Sequence, residues 1–136
     1  MSEGDLVDKP CQRQCSRRGA RKLDFIFYHE ADLRAAIAAN PTATMVEIDG
    51  VEIAEPSRWL AVIDKTYAFF EKDRPAYAEA ARQRYQGRYY KDATRACGLR
   101  HSQYYIAVAT FRAYAAIFSV ASSPPLLTAD ERDTAI

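Results

Sequence analysis

The sequence predicts a mainly α-helical fold: a helical array containing a helix-turn-helix, with a small β-hairpin on its N-terminal side. Three observations predict it. Apolar residues recur at three- and four-residue spacing through most of residues 57–121. Proline and glycine punctuate those stretches at Pro56, Pro75, Gly87 and Gly98, where helices begin and end. Asp49-Gly50 sits between Met45–Ile48 and Val51–Ile53, which is the turn pair of a tight hairpin.

In chain order, residues 1–22 are polar, basic and without periodicity, and are expected to form a mobile arm. Residues 23–56 form a helix and hairpin extension, 57–121 the helix-turn-helix domain, and 122–136 a flexible tail. Asp24–Tyr28 is a short apolar run, and Glu30–Ala39 is an Ala-rich helix ended by Asn40-Pro41. The hairpin is too small to stand alone and must lean on helices. Glu55-Pro56-Ser57 opens the main array, with Ser57 as N-cap and Leu60, Ile63, Tyr67 and Phe70 as an inward stripe beside Trp59. Asp73 and Pro75 restart a helix whose buried side is Tyr77, Ala81 and Tyr85. Tyr90–Cys97 is a third helix, stopped by Gly98. A last helix runs from about Ser102 towards Val120, closed by Ser122-Ser123-Pro124-Pro125.

A chain of 136 residues, 49% apolar, can bury a core and is not disordered by composition. Three cysteines fit a reducing compartment better than a disulfide framework. The polar, acidic start has no signal-peptide core, and the nearest approach to a membrane span, Tyr104–Val120, is interrupted by Thr110 and Arg112. A cytoplasmic location is expected. The net charge of +1 conceals segregation. Residues 24–81 carry five bases against eleven acids, whereas 82–112 carry seven bases and only Asp92 as an acid. That imbalance points to one face suited to phosphate.

The segment 82–112 has the spacing of a helix-turn-helix. Gly98 can take positive φ in the turn, and Leu99 plugs the angle between helices. Ala93 and Cys97 face Tyr104, Ala107 and Phe111 across a small core. His101, Ser102, Gln103 and Tyr105 are left at the exposed start of the second helix, where this motif reads base edges. Arg88, Lys91, Arg95, Arg100 and Arg112 would surround it as phosphate contacts, joined by the basic arm from Arg13 to Lys22. The partner so defined is double-stranded DNA.

Several short motifs carry a family resemblance. They are Trp59-Leu60, Ile63-Asp64, Arg74-Pro75, Arg84-Tyr85 with Gly87, Cys97-Gly98-Leu99 and Ser102–Tyr105. On these, Ser57–Phe118 resembles small phage and prophage transcription regulators of the RinA and ArpU type. It is also similar to the phage antitermination protein Q family and, more distantly, to region four of bacterial sigma factors. The resemblance implies a non-enzymatic regulator in a bacterial host cell, acting at promoters or on RNA polymerase. Ile106 departs from the pattern, which is often basic at that position.

The last helix carries a second apolar stripe, Ile106, Ala113, Ile117 and Val120. Either the hairpin and N-terminal helix cover it, or it is a protein interface. In the latter case it would serve a homodimer, or a module docking on RNA polymerase, a sigma factor or another host protein. Cys11, Cys15, Cys97 and His101 lack the tight spacing of a zinc site, and no metal is expected. His29 reads as a surface residue. There is no Gly-rich phosphate loop and no nucleophile elbow. Asp24, Glu30 and Asp32 read as acids favoured by a helix dipole, so neither catalysis nor a cofactor is expected.

Overall fold

The computed structural model describes residues 15–87 and 90–132, and the side chains of Tyr90 and Lys91 lie outside that description. Among the described residues six α-helices and one hairpin follow in order: α1 (Arg17–Tyr28), α2 (Glu30–Ala39), β1 (Met45–Ile48), β2 (Val51–Ala54), α3 (Pro56–Asp73), α4 (Pro75–Tyr85), α5 (Tyr90–Cys97) and α6 (His101–Ala121). A 3₁₀ turn, Ala129–Glu131, closes the described chain. The fold is mainly helical with a small antiparallel hairpin ahead of the main helical part, as the sequence predicts.

The hairpin pairs Ile48 with Val51 across a two-residue turn. Asp49 (φ 51°) and Gly50 (φ 78°) both take positive φ, the geometry that matches strand twist. Ile48 and Ile53 point into the core and anchor the hairpin there. α3 starts two residues sooner than expected. Glu55 takes the cap position, Pro56 the first turn, and Ser57 stays exposed. Its buried stripe is Trp59, Val62, Ile63, Thr66 and Phe70, while Leu60 and Tyr67 are half-buried. The expected stripe is thus rotated slightly, so that the largest side chain, Trp59, is fully enclosed.

α6 is the central helix. Its buried residues are Tyr104, Ala107, Val108, Thr110, Phe111, Ala113, Ala115, Ala116 and Ser119. It is long and apolar enough to cross a membrane by composition, with mean hydropathy 1.3. Half of that window is buried inside the protein, the signature of a core helix. Phe111 packs against Phe27 of α1, Tyr67 and Phe70 of α3, and Tyr85 of α4. Beside it, Arg112 reaches Asp24 of α1 at 3.1 Å, and the Tyr85 hydroxyl donates to the same carboxylate at 2.7 Å. Burial, with the nearby Asp24 charge next, pushes the Tyr85 phenol well above its ordinary value, so Tyr85 remains a donor.

Two expectations about the chain ends are corrected. The arm 1–22 is not irregular where it is described. Ser16 caps α1 by accepting from the Gly19 N–H at 3.1 Å, and Gly19, Leu23, Ile26 and Phe27 form one buried face. The tail does not fray through residue 132 either. Leu126 and Leu127 are buried, the Leu126 N–H donates to the Ser119 carbonyl at 3.0 Å, and the Ser16 N–H donates to the Glu131 carbonyl at 3.1 Å. Gly19 lies so close to that Glu131 carbonyl that a β-carbon would collide with backbone. The two ends hold each other down because each supplies polar partners and apolar cover that the other lacks. The flanking segments 1–14 and 133–136 lie outside the described residues.

Glu131 is the lock of this closure. Its carboxylate accepts from the Thr128 N–H at 2.8 Å and from Lys22 at 3.2 Å. Burial alone would raise its pKa, but the Thr128 bonds and the Lys22 charge outweigh that and hold it below the ordinary glutamate value. A depressed folded pKa stabilises above the unfolded pKa, and the effect is lost as pH falls through the folded one. Glu131→Gln should therefore cost about 1 kcal/mol at pH 7. The gap from the native chain should close as pH drops below about 4. Urea denaturation of both proteins across pH checks this; a gap independent of pH would show that the charge contributes nothing.

Candidate nucleic-acid interface

α4, α5 and α6 form a three-helix unit at one end of the molecule. Arg74 leads into α4, with Pro75 in the first turn, and Gly87 (φ 78°) follows the helix. α5 is only eight residues long and ends in a tight backbone lock. The Gly98 N–H donates to the Arg95 carbonyl at 3.4 Å and the Leu99 N–H to the Thr94 carbonyl at 3.1 Å. These are the paired bonds of a Schellman turn, and they require the left-handed φ of 68° that Gly98 supplies. Arg100 then caps α6. Its N–H donates to Gln103 Oε1 at 3.0 Å, the half of a capping box in which the third helical residue reaches back to the cap.

The core between these helices is built from Ala80, Ala93, Tyr104, Ala107 and Val108, with Cys97 and Leu99 packed against it. That agrees with the spacing read from sequence, except that Phe111 belongs to the main core. Burial is the larger cause, and Glu79 the lesser, that pushes the Cys97 thiol up, so it sits as a small apolar side chain. Among the described residues no group of three or more His, Cys, Asp or Glu could hold a metal ion.

What projects from this end is the first two turns of α6. His101, Ser102, Gln103, Tyr105, Ile106 and Ala109 are exposed, and Tyr104 between them is buried. The His101 ring meets Tyr105 edge-on, with centroids 4.7 Å apart. Arg95 and Arg100 are exposed on the turn beside them, with no carboxylate partner among the described residues. A shallow depression of about 490 Å³ runs between Thr94, Arg95, Gly98, Leu99 and Arg100. The helix N-terminus adds its own positive partial charge there.

Not every expected site residue lies at this tip. Arg112 is drawn inward to Asp24 and its side chain is 30% exposed, so it forms a half-buried ion pair rather than a phosphate contact. Arg88 lies outside the described residues, as does the side chain of Lys91. The described part of the basic arm, Arg17–Lys22, lies at the far end of α6, tied to residues 130 and 131 by the Arg18–Asp130 and Lys22–Glu131 pairs. That end is roughly 27 Å from His101 along the helix. The second apolar stripe is also divided. Ala113 is 3% exposed and belongs to the core, Ile117 and Val120 are half-buried, and Ile106 is exposed at the tip. It forms no continuous face.

A groove of about 620 Å³ lies on another side and is lined by Phe27, Tyr28, Arg34, Tyr67, Arg82 and Gln86 among others. Its arginines are already clamped: Arg34 by Glu30 and Asp64, Arg82 by Glu71 and Glu79. This leaves the groove near neutrality. Its lining comes from four helices, so no local sequence signal marks it.

The molecule is thus a helical domain with a hairpin, carrying an exposed helix tip flanked by arginines. Comparison with family models, with curated proteins and with solved structures found no match to this chain.

Replacing Arg112 by Ala should lower stability by about 1–3 kcal/mol, because Asp24 keeps its partial burial and loses its cation. Chemical denaturation checks this. Unchanged stability would return Arg112 to the set available for phosphate.

Proposed function

We propose that this chain binds double-stranded DNA through the tip formed by α5, the Gly98 turn and the start of α6. It would act as a transcriptional regulator of the phage and prophage kind that its motifs resemble, in a bacterial cytoplasm. The observation that carries the reading is the pairing of a projecting, polar-ended helix with Arg95 and Arg100, both free of carboxylate partners among the described residues. A helix in the major groove needs a rigid base, exposed first turns and cations at the flanks to meet phosphate. Base-edge contacts then come from His101, Ser102, Gln103 and Tyr105, and phosphate contacts from Arg95 and Arg100 with Arg88 and Lys91 of the same link.

A second reading rests on a different observation. Phe69 is exposed and meets Tyr114 and Phe118 at ring-centroid distances of 5.0 and 5.9 Å, an aromatic face on the α3–α6 side that suits a protein partner. RNA polymerase, a sigma factor or a second copy of the chain are partners of that chemistry.

Fluorescence anisotropy with a random-sequence duplex tests the DNA reading. Binding in roughly the 10⁻⁴ to 10⁻⁶ M range is expected near physiological salt, with a log–log salt slope of about −3 to −4 for four phosphate contacts. Replacing Arg95 and Arg100 together by Ala should reduce that slope by about 2. Absence of binding at low salt, or an unaltered slope in the double variant, would overturn this reading.

A further inference from the structure

We infer that the exposed strip of α6 selects A·T base pairs by seating thymine methyl groups, an inference that rests on the DNA reading above. The strip is Ser102, Tyr105, Ile106 and Ala109, spaced at three and four residues along two turns, all exposed. Tyr105 is 48% and Ile106 45% exposed, among the few large apolar side chains the fold leaves in water. From Ser102 to Ala109 the helix advances roughly 10 Å, about three base-pair steps.

The strip's chemistry rules out the usual strong readers. Guanine is recognised by two parallel N–H donors reaching O6 and N7, which Arg or Lys supplies. No Arg or Lys lies between Arg100 and Arg112, and Arg112 is bound to Asp24. Adenine is recognised by both amide atoms of Asn or Gln. Gln103 has committed its Oε1 to the Arg100 N–H, so a bidentate adenine contact would uncap α6. Its remaining amide donor fits an acceptor on any purine or on thymine and discriminates little.

What remains is apolar surface. Thymine alone among the four bases presents a methyl group in the major groove. Ile106 and Ala109 against that methyl bury carbon on both sides. The same residues against guanine or cytosine would cover polar atoms without satisfying them. Tyr105 is held beside them by the His101 ring, which orients the tip. Arg95 and Arg100 at its margin match the phosphates of a duplex, which makes DNA rather than an apolar protein surface the occupant.

The test uses the full chain at fixed salt with two alternating A·T duplexes, one with thymidine and one with deoxyuridine in its place. Deoxyuridine removes the methyls and keeps every hydrogen-bonding group. The thymidine duplex should bind tighter by roughly fourfold for each methyl buried. Ile106→Ala should erase most of that ratio while retaining its salt slope. Equal affinity for the two duplexes, or a ratio that persists in the Ile106 variant, overturns the methyl reading and leaves DNA binding standing. No binding to either duplex at low salt overturns both readings and assigns the strip to a protein partner.

Discussion

Burial of the Phe111 ring organises this protein. It lies 4.8 Å from Tyr67, 5.3 Å from Phe27, 5.4 Å from Phe70 and 6.5 Å from Tyr85, so one side chain joins α1, α3 and α4 to α6. Aromatic pairs of this kind are each worth about 0.5–1.5 kcal/mol beyond the apolar area they bury. The Asp24–Arg112–Tyr85 network sits one residue along and fixes the rotation of α6 about its own axis. A helix held at its middle on several sides cannot slide or roll. Its two ends then take different fates: the C-terminal end is covered by Leu126 and Leu127, and the N-terminal end keeps one face exposed.

That division accounts for a feature which counts against DNA binding when only the sequence is considered, the apolar character of the last helix. The apolar residues from Tyr104 onward serve mainly as core, inward-facing and paired with other helices. The exposed side chains gather in its first turns, which carry His101, Ser102, Gln103, Tyr105, Ile106 and Ala109. Rigidity matters here as much as chemistry. Side chains that read base edges need a backbone held in place, and α6 is braced by the Phe111 cluster and by the Schellman turn at Gly98.

The elements that were legible in the sequence are those written in local signals. Asp49-Gly50 specified the hairpin, Pro75 and Gly87 bounded α4, and Gly98 separated α5 from α6. What the sequence hid depended on partners far away. α1 was divided at Lys22, where a basic stretch meets an apolar run, although Gly19, Leu23, Ile26 and Phe27 have helical spacing across that division. The Glu131 carbonyl that packs on Gly19 lies more than a hundred residues along the chain, where no local signal announces it. Arg112 shows the same limit. Counted by charge it belongs with the basic segment, and only the fold reveals that Asp24, 88 residues away in sequence, claims it. The exposed tip, by contrast, was readable because helix spacing alone separates Tyr104 from its neighbours.

The measurement closest to the central claim is an amide-resolved NMR titration of the full chain with a short duplex. Shifts should concentrate from Arg95 to Ala109, while the hairpin and the Gly19–Glu131 closure stay unmoved. Shifts centred on the Phe69, Tyr114 and Phe118 face, or none at all near Gly98, would contradict it.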